Sequence, residues 1–137
     1  MIVDFDPTTQ EYIEIIYEIQ KDRHVARVKD IAERRGVTKS SVSTVLTQLK
    51  QKELINHETY GLVMLTAKGR AVAETLEETH QLIRDFFVDI LNVDPEIAED
   101  NACTIEHHIN KDVLSSLADF MSFLKTEADV ISRWKHT

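Results

Sequence analysis

The sequence predicts a mainly α-helical protein: an N-terminal winged helix-turn-helix with a small two-stranded wing, followed by a second, helical domain. Three observations lead there. Three glycines and two prolines in 137 residues are too little punctuation for the turns of a sandwich or barrel. Apolar residues recur at helical spacing along most of the chain. Only once do two apolar segments flank a short polar tip, in "LINHETYGLVML", which reads as a hairpin turning at Glu58–Gly61. The chain divides into residues 1–72 and 73–137.

A first helix is expected from Pro7, a residue suited to the first helical position, to about Gln20. Ile13, Ile16 and Tyr17, with Tyr12, Ile15 and Ile19, make it apolar over a wide arc. Thr8 and Glu11 have the spacing of a capping box, and Glu11 and Glu14 lie side by side three residues apart. Val28, Ile31 and Ala32 mark a short helix that stops at Gly36. Thr38 caps a second, with Val42, Val45, Leu46 and Leu49 as its buried stripe. Two short helices around a glycine-containing turn make a helix-turn-helix, and a hairpin behind it is a wing.

The outward face of the second helix carries Lys39, Ser40, Ser41, Ser43, Thr44, Thr47, Gln48 and Lys50. Short hydroxyls, an amide and cations suit phosphates and base edges in a major groove. An ordinary amphipathic helix is the plainer reading, but so many Ser and Thr lower helix propensity. Arg27, Thr38 and Lys68 complete the candidate DNA-binding set.

Thr66 then caps a long helix, about Ala67 to Leu91, with Leu82, Ile83, Phe86, Phe87 and Ile90 on its core face and His80 in its middle. A lone histidine there is more often packing than ligand. Asp94–Pro95 opens a helix expected to carry Cys103, Glu106 and His107. On a helix these positions share one face, while His108 points away. A buried cysteine beside two surface polar residues fits that spacing as well as a metal site does. A last helix, about Lys111 to Leu124, spaces Val113, Leu117, Phe120, Met121 and Leu124 at helical intervals. So much apolar helix in a small domain points to self-association, with these five residues as the dimerisation stripe.

Charge is distributed unevenly. The net charge is −8, yet residues 21–70 hold 11 Lys/Arg against 5 Asp/Glu, a basic module within an acidic protein. One cysteine excludes an intramolecular disulfide framework. No apolar run approaches the roughly 18–20 residues that cross a bilayer, and the acidic start "MIVDFDPTTQ" is unlike a signal peptide. A cytoplasmic, reduced protein without membrane partners is expected, with Cys103 available as a thiolate.

The order of these features resembles the diphtheria toxin repressor and manganese transport regulator family of metal-activated transcriptional repressors. The resemblance covers nearly the whole chain and is carried by "TTQEYIEIIYEI", "VKDIAERRGVTKSSVSTVLTQL", "GLVMLTAKGR", "THQLIRDFF" and "CTIEHHI". It implies that residues 73–137 form a metal-binding and dimerisation domain, and that a homodimer binds double-stranded operator DNA when loaded with Fe²⁺ or Mn²⁺. The family's ligands carry over to Glu11, Glu14, His80, Cys103, Glu106 and His107. Glu11 and Glu14 look like the manganese-type pattern; Cys103 looks like the iron-type pattern. Iron-type members have an acidic residue where Arg84 stands, and larger ones append an SH3-like third domain after the point where this sequence stops. One or two ions per subunit fit this mixture, and Co²⁺, Ni²⁺ or Zn²⁺ would bind in vitro under the Irving–Williams order.

Other readings fit parts of the sequence. A winged-helix regulator could sense a small organic ligand, with the acidic and histidine residues incidental. A pure dimerisation module would need neither metal nor DNA. A metallo-hydrolase would use Glu and His to activate water, but the sequence offers no substrate-orienting apparatus, so no enzyme is expected.

Overall fold

Helix α1 spans Pro7–Arg23 and starts where its proline requires. Proline fixes φ and lacks only an N–H that the first turn leaves unbonded anyway. The cap therefore falls one residue earlier, on Asp6, whose Oδ1 accepts the Thr9 N–H at 2.7 Å. This corrects the expected capping box: Thr8 lies within the helix, and Glu11 pairs with Arg35 instead. The Thr9 N–H, followed by the Thr9 side chain, holds the Asp6 carboxyl below its ordinary range. The computed structural model describes residues 5–58 and 61–135, so part of the expected wing tip lies outside the described residues. Residues 5–74 make one compact unit and residues 75–135 another.

In the first unit, β1 (Ala26–Arg27) leads directly into α2 (Val28–Arg35). Gly36 ends α2 at φ 71°, a left-handed conformation that suits glycine, and donates its N–H to the Ala32 carbonyl. Thr38 caps α3 (Lys39–Gln51) by accepting the Ser41 N–H at 3.1 Å. Val42, Leu46 and Leu49 are fully buried, and Val45 is half-buried. Strands β2 (Ile55–His57) and β3 (Leu62–Leu65) pair antiparallel, with Ile55 opposite Leu65 and His57 opposite Val63. The sheet is three-stranded rather than two-stranded, because β1 pairs with the other edge of β3 in the order β1-β3-β2. Ile13, Ile16, Ile31 and Leu46 are fully buried, as are Leu54 and Val63 at the sheet.

Thr66 caps α4 (Ala67–Asp85), its Oγ1 accepting the Gly69 N–H at 3.1 Å. The Thr66 N–H in turn donates to the Leu54 carbonyl at 3.0 Å, and Gly69 approaches that carbonyl so closely that a Cβ would collide with it.

In the second unit the long helix changes pitch. Its α-helical part ends at Asp85, and Phe86–Ile90 form a π-helical turn closed by Leu91 N–H to Phe86 O at 3.1 Å. Phe86 meets Phe120 edge-on, with ring centroids 6.3 Å apart. Helix α5 (Pro95–Ile105) is capped by Asp94 and ends before the expected His107. Glu106 is its C-cap, still at helical dihedrals (φ −56°, ψ −30°), so the one-turn relation between Cys103 and Glu106 is kept. Helix α6 (Lys111–Lys125) starts at the cap Asn110. Helix α7 (Ala128–Lys135), which the sequence pattern does not announce, is tied by Trp134 Nε1–H to the Ile90 carbonyl at 2.6 Å.

The expected dimerisation stripe divides between two faces of α6. Met121 and Leu124 are buried, Leu117 is half-buried, and Val113 and Phe120 are exposed together with Phe123. No helix among the described residues is long and apolar enough to cross a membrane.

Candidate metal centre and nucleic-acid interface

Three side chains from two helices bring donor atoms together in the second unit. The donors of His80 on α4, Cys103 on α5 and Glu106 at the α5 C-cap all lie within 4.8 Å of one another. Glu106 is the innermost, its side chain only 2 % exposed, with Oε1 3.6 Å from His80 Nδ1 and 3.5 Å from His107 Nε2. Donors about 2.1 Å from a shared ion stand roughly 3.0–3.4 Å apart, close to these separations. One thiol, one carboxylate and two imidazoles make a set softer than an all-oxygen Ca²⁺ or Mg²⁺ site and harder than an all-thiolate zinc site. The donor chemistry therefore fits a divalent transition ion. His107 is turned inward with its side chain 6 % exposed, whereas its neighbour His108 is exposed.

Glu11 and Glu14 belong to α1 of the first unit, and both are half-buried. The Glu11 carboxylate forms an ion pair with Arg35, whose guanidinium lies 5.1 Å from the centre of the Tyr12 ring. One residue of the second unit escaped the sequence reading. Glu99 Oε1 lies 2.8 Å from His80 Nε2, and its Oε2 lies 3.0 Å from Arg84 Nε. The available signal was its place four residues before Cys103, on the same face of α5.

On α3, Lys39, Ser40, Ser41, Ser43, Thr44, Thr47, Gln48 and Lys50 are all exposed. The Thr44 and Thr47 hydroxyls donate to the carbonyls of Ser40 and Ser43, at 3.2 and 3.0 Å. Arg27 is exposed at the end of β1. Lys68 donates its Nζ to the carbonyl of Lys52 at 3.0 Å, at the C-cap of α3.

A winged helix followed by a helical unit with a mixed nitrogen, sulfur and oxygen donor cluster defines a class of metal-responsive DNA-binding proteins. The chain belongs to the iron-dependent repressor family, whose members are transcriptional repressors and not enzymes. Residues 4–63 match the family's N-terminal DNA-binding domain, and residues 66–135 match its metal-binding and dimerisation domain. Among curated proteins, the chain is 34 % identical over 119 residues to the HTH-type transcriptional regulator MntR of Bacillus pumilus, covering 87 % of this chain and 82 % of that protein. It is 32 % identical over 121 residues to MntR of Oceanobacillus iheyensis, covering 88 % and 82 %. Among solved structures, a manganese-dependent transcriptional repressor in complex with manganese aligns at TM-score 0.72 and 28 % identity, over 84 % of this chain. The chain spans about half of that structure's length, 53 %.

Proposed function

We propose that the chain is a metal-activated repressor, in which a homodimer loaded with Fe²⁺ or Mn²⁺ binds operator DNA and controls metal uptake or homeostasis in the cytoplasm. The observation that carries this reading is the convergence of His80, Cys103 and Glu106 in a chain that also exposes a Ser/Thr-rich, lysine-bearing helix α3. His80, Cys103, Glu106 and His107 hold the ion, and Glu11 and Glu14 complete the ligand set as the family resemblance implies. When bound, the ion supplies two positive charges that offset the mutual repulsion of these donors. Glu11 and Glu14 lie on a helix of the DNA-binding unit, so their ligation would link ion loading to operator binding. On α3, Lys39 addresses phosphates, while Ser40, Ser43, Thr44 and Gln48 reach base edges. The exposed Val113, Phe120 and Phe123 supply the apolar surface for a two-fold interface.

The test is operator binding by metal-stripped protein, with each divalent ion added back in turn. Fe²⁺ or Mn²⁺ is expected to restore binding. His107→Ala should abolish that restoration, and His108→Ala should leave most of it. Equal loss in both variants, or full operator affinity without metal, would overturn the reading.

A further inference from the structure

We propose that Glu99 is a positioning residue for His80 and that Arg84 holds Glu99 to this task, so that His80 presents only its Nδ1 atom to a bound ion. The inference rests on the reading of His80 as a ligand. It starts from three side chains in a row: Arg84 Nε to Glu99 Oε2 at 3.0 Å, then Glu99 Oε1 to His80 Nε2 at 2.8 Å. Arg84 lies one turn after His80 on α4, and Glu99 one turn before Cys103 on α5. A single face of α5 thus supplies both a thiolate donor and the carboxylate that orients the imidazole.

The chemistry of the contact fixes the ring. An ionised carboxylate can only accept, so His80 must donate from Nε2, and the lone pair of the neutral ring is left on Nδ1. That atom faces Glu106 Oε1 at 3.6 Å, on the donor side of the cluster. Histidine ligands elsewhere depend on such an outer hydrogen bond for tautomer and orientation, and losing it costs about 10–100-fold in metal affinity.

Arg84 makes the arrangement tolerable and restricts it. A third acid beside Cys103 and Glu106 would add repulsion to a cluster already rich in acceptors, and the guanidinium cancels that charge. Without it, Glu99 Oε2 and His80 Nε2 would be the beginnings of a second cation site. With it, a fixed cation already lies against the carboxylate. His80 therefore serves one ion, not two.

The experiment uses the whole chain, metal-free, with ¹⁵N-labelled histidine at about pH 8.5, where an ordinary histidine is neutral. Long-range ¹H–¹⁵N spectra should show His80 protonated at Nε2 and bare at Nδ1. Glu99→Ala should leave the circular dichroism unchanged, mix the two tautomers, and weaken Co²⁺ binding by about 10–100-fold. Glu99→Gln, whose Oε1 can still accept from Nε2–H, should restore the tautomer and most of the affinity. A wild-type ring protonated at Nδ1 would overturn the proposal. So would a Glu99→Ala variant that keeps both tautomer and affinity, or one that loses affinity with its tautomer intact, which would make Glu99 a ligand itself. His80→Ala distinguishes the two levels: unchanged Co²⁺ affinity there would remove His80 from the ligand set, whatever the spectra say of Glu99.

Discussion

A single methyl group at Gly69 sets two effects of known size against each other. Alanine is favoured over glycine in a helix by about 1 kcal/mol, so Gly69→Ala would ordinarily stabilise α4. Here the new Cβ would collide with the carbonyl oxygen of Leu54 and press on the Leu65 side chain at 3.1 Å. The oxygen has nowhere to turn: it accepts the Thr66 N–H at 3.0 Å and follows Glu53, itself held at φ 60°. Overpacking of a well-filled site costs about 1–3 kcal/mol, and a clash with backbone belongs at the upper end. The net expectation is a loss of about 2 kcal/mol, or a fall of roughly 8–16 °C in the melting temperature of a unit this size. Thermal unfolding of metal-free protein, followed by circular dichroism, measures it. A melting temperature equal to or above that of wild type would refute the reasoning, showing that helix propensity wins and α4 can move off Leu54.

Three further outcomes follow from the contacts described. Asp6→Ala removes the α1 cap and should cost about 1 kcal/mol at neutral pH by urea denaturation. The Asp6 carboxyl is held below its ordinary range, so its charge contributes stability above the unfolded pKa of about 3.9 and loses it as pH falls through the lower folded value. Asp6→Asn, which still caps, should lack that acid-side loss. Arg35→Ala releases Glu11 from a half-exposed ion pair worth about 0.2–1 kcal/mol, so calorimetric Mn²⁺ affinity should rise by up to about fivefold; a fall would remove Glu11 from the ligand set. Phe120→Glu and Phe123→Glu place charges on an exposed apolar face and should yield folded monomers by sedimentation, whereas wild-type protein is expected to sediment as a dimer.

The parts of the fold legible in the sequence were those set by local chemistry. Pro7, Gly36, Thr38, Thr66 and Pro95 each dictate a helix boundary through their own backbone or hydroxyl, and the structure places helix ends at all five. Features without a local signature were not legible. A two-residue strand such as β1 has no period to detect, and a π-helical turn breaks the very spacing by which helices are recognised. The Thr8 capping box failed because a proline inside the helix outweighs a good cap residue at the wrong position. At the candidate metal centre, the spacing from Cys103 to His107 was visible, but Glu99 looked like any exposed acid until α4 brought His80 to it. The Arg35–Glu11 pair joins residues 24 apart in sequence, a distance over which composition says nothing.

Helix α3 separates its duties by face. Val42, Leu46 and Leu49 supply its packing, and no residue of its Ser/Thr surface contributes to the core. The hydroxyls of Thr44 and Thr47 donate to carbonyls of their own helix, so these two side chains are held without any contribution from the core. Substitutions on it should cost the fold little, since exposed positions away from special contacts usually change stability by less than about 0.5 kcal/mol. The vocabulary of sites that such a helix reads can therefore drift through single mutations while every intermediate remains folded. A lineage could acquire new operators without first acquiring a more stable protein.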